Sequence, residues 1–168
     1  MGSSFVKGHL NRLSYDNEIM NAKGHLGFSL LILSLFFLIL NIKPGSEVLL
    51  TYIIVILLST LPDIDLRLEI KHRYYTHNIL FAVLIGLLVG FIASYTTLGF
   101  YKGFLVGFSG IMLHLIADLM TYKKFPILAP LSMKKVALKL FKSDNPLINN
   151  LLLVSGFLSF LLYLCKVC

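Results

Sequence analysis

The sequence predicts an all-α integral membrane protein, with about five transmembrane helices in one bundle, its N-terminus cytoplasmic and its C-terminus outside. Three observations carry that expectation. Of 168 residues, 57% are hydrophobic and only 14% charged, and the mean hydropathy is +0.85. Soluble domains run nearer to 45–50% apolar and about 25% charged, so the excess apolar surface must face lipid. The apolar residues fall into five runs, and the basic residues fall between those runs with a strong bias to one side.

Residues 1–23 are polar and read as a cytoplasmic tail, with no cleavable signal peptide because no small-residue cleavage site follows the first apolar run. Residues 24–168 read as one polytopic membrane domain. Its first span is about 24–42, ended by Lys43-Pro44-Gly45. The second, 48–62, is short and stops at Pro62. The third is about 78–95, the fourth about 100–120 and the last 147–164. A bilayer core takes about 20 apolar residues per helix, which each run meets or approaches. Gly86 with Gly90, and Gly103 with Gly107, form G-x-x-x-G pairs suited to close helix contact. Between the fourth and fifth spans lies a basic interfacial loop, 123–145, in which Met133 to Lys142 mixes Lys with Val, Leu and Phe as an interfacial helix would.

With all five runs spanning, twelve Lys and Arg lie on the side of the N-terminus and three on the other. Positive residues stay inside, which sets the orientation. The net charge of +7 thus reads as topology signal and attraction to anionic lipid, not as a nucleic-acid footprint. Cys165 and Cys168, at the C-terminal end, read as two incidental thiols, since no second pair completes a zinc site.

The His and Asp residues collect on that same basic side. His25 opens the first span. Asp63 and Asp65 close the second, in Leu-Pro-Asp-Ile-Asp. His72, Arg73, Thr76 and His77 lead into the third, and His114 and Asp118 sit in the last turns of the fourth. His114 and Asp118 are four residues apart and share a helix face, inside an apolar span where an ionisable group is costly and points to function. Each piece alone has a plainer reading: an interfacial histidine, a helix stop, a basic flank or a polar pair joining helices. Together they form a donor set of imidazoles and carboxylates that suits one or two divalent ions, zinc first, with manganese or iron as alternatives. A cation also relieves the repulsion among carboxylates held close together.

The order His, then Pro-Asp-Ile-Asp, then His-Arg-Tyr-Tyr-Thr-His, then His-x-x-x-Asp-x-x-Thr with Leu128-Ala129-Pro130 beyond it, resembles the YdjM family over about residues 24–132. That family is described as membrane-bound metal-dependent hydrolases of the inner membrane, some of them under LexA control. Tyr74 and Asn78 stand where the family commonly has Gly and Ser. The resemblance implies a hydrolase in which His25, Asp63, Asp65, His77, His114 and Asp118 hold metal. His72, Arg73 and Thr76 would then be the catalytic residues, His72 as acid or base and Arg73 as phosphate clamp. The expected partner is a membrane phospholipid or lipid-linked substrate met at the cytoplasmic leaflet, with the oligomeric state open. Alternatives are a metal-ion or proton transporter, and a non-catalytic membrane protein with a structural metal site. His-Glu-x-x-His, Gly-x-Ser-x-Gly and phosphate-cradling glycine loops are absent from the sequence.

Overall fold

The apolar runs become helices where polar residues are placed to close their ends. A computed structural model describes residues 20–64 and 75–167. Among them five helices follow one another: α1 (Ala22–Ile39), α2 (Ser46–Leu58), α3 (Ile79–Ala93), α4 (Gly99–Leu119) and α5 (Pro146–Val167). A 3-10 turn, Leu61–Asp63, follows α2. The Asn21 side chain accepts from the Lys23 amide at the start of α1. Asn78 does the same for α3, accepting from Phe81 N at 2.8 Å. α5 opens on Pro146, and the Asn145 side chain accepts from the amides of Leu147 and Ile148. Such side chains satisfy amides that no helical carbonyl reaches, and proline fits the first helical position.

Among the described residues, four stretches are long and apolar enough to cross a membrane: Ala22–Ile39, Ser46–Asp63, Gly99–Leu119 and Pro146–Lys166. The third expected span is shorter. α3 has 15 residues, about 22 Å at 1.5 Å per residue, against a hydrocarbon core of about 30 Å. Asn78 starts it and Ser94 ends it, with the Ser94 hydroxyl donating to Phe91 O at 2.6 Å and its amide to Gly90 O at 2.9 Å.

Glycines set how these helices meet. Gly27 of α1 rests on the main chain of Leu152 and Leu153 in α5, and Gly156 of α5 rests on the main chain of Gly27, so a Cβ at either position would overlap backbone. The two G-x-x-x-G pairs pack on each other, Gly103 against Gly90 and Gly107 against Gly86, which lays α3 antiparallel to α4. α2 joins the bundle where Gly110 of α4 meets Val55 and Leu58, and through a buried hydrogen bond of 3.0 Å from the Tyr52 hydroxyl to Ser34 of α1. The starts of α1, α3 and α5 and the ends of α2 and α4 consequently share one end of the bundle. Cys165, near the other end, is an exposed free thiol, and Cys168 lies outside the described residues.

The stretch Met133 to Lys142, expected as an interfacial helix, is not helical. Phe125 and Val136 exchange both main-chain hydrogen bonds, at 3.2 and 3.0 Å, and the amides of Leu138 and Leu140 donate to Leu119 O at 2.7 Å and Met120 O at 2.8 Å. The last carbonyls of a helix have no donor within it. This segment supplies those donors to α4, and amides used in that way cannot also build a helix. Lys139 takes a left-handed backbone conformation, with φ 58°.

The Gly27–Gly156 crossing makes a stability prediction. Gly156→Val should separate α1 from α5 and lower stability by about 1–3 kcal/mol, the usual cost of overpacking. Gly45→Ala, where a Cβ meets nothing within 4 Å, should be close to neutral. Thermal unfolding of the two variants in detergent checks this, and equal melting temperatures would refute it.

Candidate metal centre

Four elements deliver one residue or more each to the shared end of the bundle. His25 lies in the first turn of α1, where Asn21 starts the helix early enough to carry it. α2 ends ahead of Pro62, since a proline cannot continue the hydrogen-bond ladder, and the 3-10 turn that follows presents Asp63. His77 immediately precedes the Asn78 cap of α3. His114 and Asp118 project from one face of the last two turns of α4.

These five side chains converge. The Asp118 carboxylate lies 3.3 Å from His77 Nε2, 3.6 Å from His114 Nε2 and 3.7 Å from His25 Nε2. The Asp63 carboxylate lies 3.6 Å from His77 Nε2, 3.7 Å from His114 Nε2 and 3.8 Å from His25 Nε2. The rings of His25 and His114 stack, with centroids 4.0 Å apart. His25, His77, His114 and Asp118 are fully buried, whereas the Asp63 side chain keeps 18% of its surface exposed.

The outer hydrogen bonds indicate which nitrogens face inward. His114 Nδ1 is 2.8 Å from the carbonyl oxygen of Ser59. A carbonyl only accepts, so Nδ1 carries the proton and the neutral ring turns a bare Nε2 into the cluster. That Nε2 is 3.0 Å from His77 Nε2, a separation that calls for a proton or a cation between the two nitrogens. Asp63 Oδ1 is buried beside both and makes no hydrogen bond among the described residues. Two overlapping donor sets result, His25/His114/Asp118 and Asp63/His77/His114, each with its ligand atoms within 4.8 Å of one another. Donors about 2.0–2.2 Å from a shared zinc ion lie within about 4.4 Å of each other, and the carboxylate-to-imidazole separations of 3.3–3.8 Å fall inside that limit. The residues present fit a divalent cation.

Of the residues expected from sequence, the structure thus brings together His25, Asp63, His77, His114 and Asp118. Asp65, His72 and Arg73 lie outside the described residues. The Thr76 hydroxyl is 2.8 Å from His77 Nδ1, the ring nitrogen away from the carboxylates. Three contributors were not expected. Ser59 matters through its main-chain oxygen. Phe125 is buried edge-on to His77, with centroids 6.1 Å apart. Asn78 caps α3 and also donates to Tyr75 O at 2.9 Å, so it settles the turn that carries His77. Asn78 carried a signal, since Asn before an apolar run marks a helix start. Ser59 and Phe125 carried none.

A bundle of apolar helices with a buried His and Asp cluster at one end defines a polytopic α-helical membrane protein with a candidate metal site. The chain belongs to the YdjM inner membrane protein family, whose profile matches residues 20–167. That match extends through α5, beyond the motifs themselves. Comparison with curated proteins and with solved structures returns no match.

Burial opposes a charge on His77, but the carboxylates of Asp118 and Asp63 outweigh it and hold the imidazole above its ordinary pKa. Below that raised value the metal-free ring carries a proton, which an incoming ion must displace. Zinc affinity should therefore rise with pH and level off above the raised pKa. Thr76→Val, which removes the hydroxyl beside Nδ1, should weaken zinc binding about 10–100-fold, as loss of a group orienting a ligand does. Calorimetric titration of the detergent-purified protein across pH measures both; affinity flat with pH would contradict the assignment of His77 as a ligand.

Proposed function

We propose that this inner-membrane protein is a metal-dependent hydrolase working at the cytoplasmic face, on a phosphoester or another lipid-linked bond. The observation that carries the reading is the convergence of three imidazoles and two carboxylates on one buried point, with the bare nitrogen of His114 turned into it. The side of the membrane is supported by the lysines that share this end of the bundle.

His114 offers a single inward nitrogen, because Ser59 occupies the other. The two donor sets that share it therefore describe one ion, ligated by a selection from His25, Asp63, His77, His114 and Asp118. A second ion would draw on donors outside the described residues, where Asp65 and His72 lie. Zinc suits such a mixture of imidazole and carboxylate, and manganese and iron accept it as well. A bound ion of this kind supplies a Lewis acid and lowers the pKa of bound water. Asp63, the partly exposed member, marks the side from which a substrate approaches. His72 and Arg73 take the roles of proton carrier and phosphate clamp. A second reading, an ion that only ties helices together, draws support from the complete burial of the other four residues.

Elemental mass spectrometry of the purified protein, together with phosphate release from lipid phosphomonoesters in mixed micelles, separates these readings. A hydrolase should hold stoichiometric metal that is lost in His114→Ala and Asp118→Ala. Arg73→Lys should keep its metal while turnover falls roughly 10²–10³-fold, as when a group stabilising developing charge is removed. Metal without hydrolysis of any lipid-linked bond would favour the structural ion, and metal-free folded protein would sink both.

A further inference from the structure

The segment from Ile127 to Met133 leaves the closed end of the bundle and runs along the outer flank of α3. Ile79 N, at the start of α3, donates to Ile127 O at 2.9 Å and pins the segment there. Beyond that point Ala129, Pro130 and Met133 face Leu80, Phe81 and Leu84 across an open, mainly apolar groove of about 240 Å³. Leu80 and Leu84 are 47% and 54% exposed, as the lipid-facing residues of a membrane helix would be. The segment is thus level with the first turns of α3, where the acyl layer begins.

Its composition suits that level. Leu131 is 94% exposed, and Leu128 and Met133 are each about half exposed. Ala129 N donates to Pro126 O and Ser132 N to Leu128 O, both at 3.0 Å, so amides along the turn are engaged, as chain bordering hydrocarbon requires. Directly after it come Lys134, Lys135 and Lys139, all exposed and none paired with an acid among the described residues. Asp144 is the single acidic residue between 121 and 145. Lysine stems let the ammonium groups rise to the phosphate layer while the neighbouring leucines stay in the chains.

We propose that Ile127 to Lys139 is an interfacial strap: Leu128, Leu131 and Met133 insert among acyl chains, and Lys134, Lys135 and Lys139 hold the headgroups of anionic phospholipid. A lysine at the membrane surface favours anionic lipid roughly fivefold. The base of the strap is Phe125, whose ring lies against His77, so the lipids it gathers surround the metal centre. The strap acts whatever chemistry that centre performs.

The chain contains no tryptophan, so Leu131→Trp installs a lone fluorescent reporter at a position open enough to leave folding intact. The variant is reconstituted into vesicles of phosphatidylcholine and phosphatidylglycerol, with bromine placed on the tails of one lipid at a time. The indole should emit in the blue, be quenched by brominated tails and resist aqueous iodide. Brominated phosphatidylglycerol should quench severalfold beyond its mole fraction, and Lys134→Gln with Lys135→Gln and Lys139→Gln should return quenching to the bulk proportion. Red emission with iodide quenching would place Leu131 in water and overturn the insertion. Quenching in proportion to bulk composition with the lysines intact would overturn the lipid preference.

Discussion

Charged and polar groups sunk into an apolar bundle must compensate one another, and in this protein that requirement gathers the ends of four helical elements at one point. Two carboxylates lie 3.3–3.8 Å from three imidazole nitrogens. Removing one partner from such a set leaves a buried charge uncompensated, at a typical cost of about 3–5 kcal/mol. A cation at the centre would complete the compensation that the protein groups begin. The outer bond from His114 Nδ1 to Ser59 O reaches further than its length suggests, because it sets the tautomer and joins α4 to the end of α2.

The helices are cut to serve that point. α2 stops short and turns through Leu61–Asp63, which brings Asp63 back toward the axis where a continued helix would carry it past. α3 begins only at Ile79, so His77 rides on the turn ahead of the helix and reaches His114 across the bundle. α5 contributes none of the five clustered groups, yet it fixes α1 at the Gly27–Gly156 crossing and with it the depth of His25. Contacts without side chains at two crossings thereby control distances inside a cluster made wholly of side chains.

Much of this was legible in the sequence. Long apolar runs identify the helices because lipid demands internally satisfied backbone, and alternation of their direction then puts His25, Asp63, His77, His114 and Asp118 on one side by arithmetic. The G-x-x-x-G pairs were legible for the same kind of reason, since small residues one turn apart leave a groove. The length of α3 was less so: its apolar run continues toward Tyr95, while the Ser94 side chain ends the helix locally. The 133–142 segment misled because an amphipathic composition says nothing about which amides are already engaged, and here the end of α4 claims them. Ser59 acts through a main-chain oxygen, which every residue has, and Phe125 acts through a contact that arises only once the chain has folded back.

The spacing His-x-x-x-Asp-x-x-Thr acquires a division of labour from these contacts. His114 and Asp118 share the inward face, while the Thr121 hydroxyl donates back to Asp118 O at 2.7 Å and the Thr121 main-chain oxygen accepts from Lys139 N at 3.2 Å. The hydroxyl of Thr121, just past the Met120 cap of α4, thus engages the main chain of Asp118 and leaves its carboxylate to the cluster. In the sequence, Asp63 and His77 flank the stretch that carries Asp65, His72 and Arg73. Asp63 is also the member that retains exposure. The edge of Asp63 is thus where the otherwise fully buried donors come nearest to the surface of the bundle.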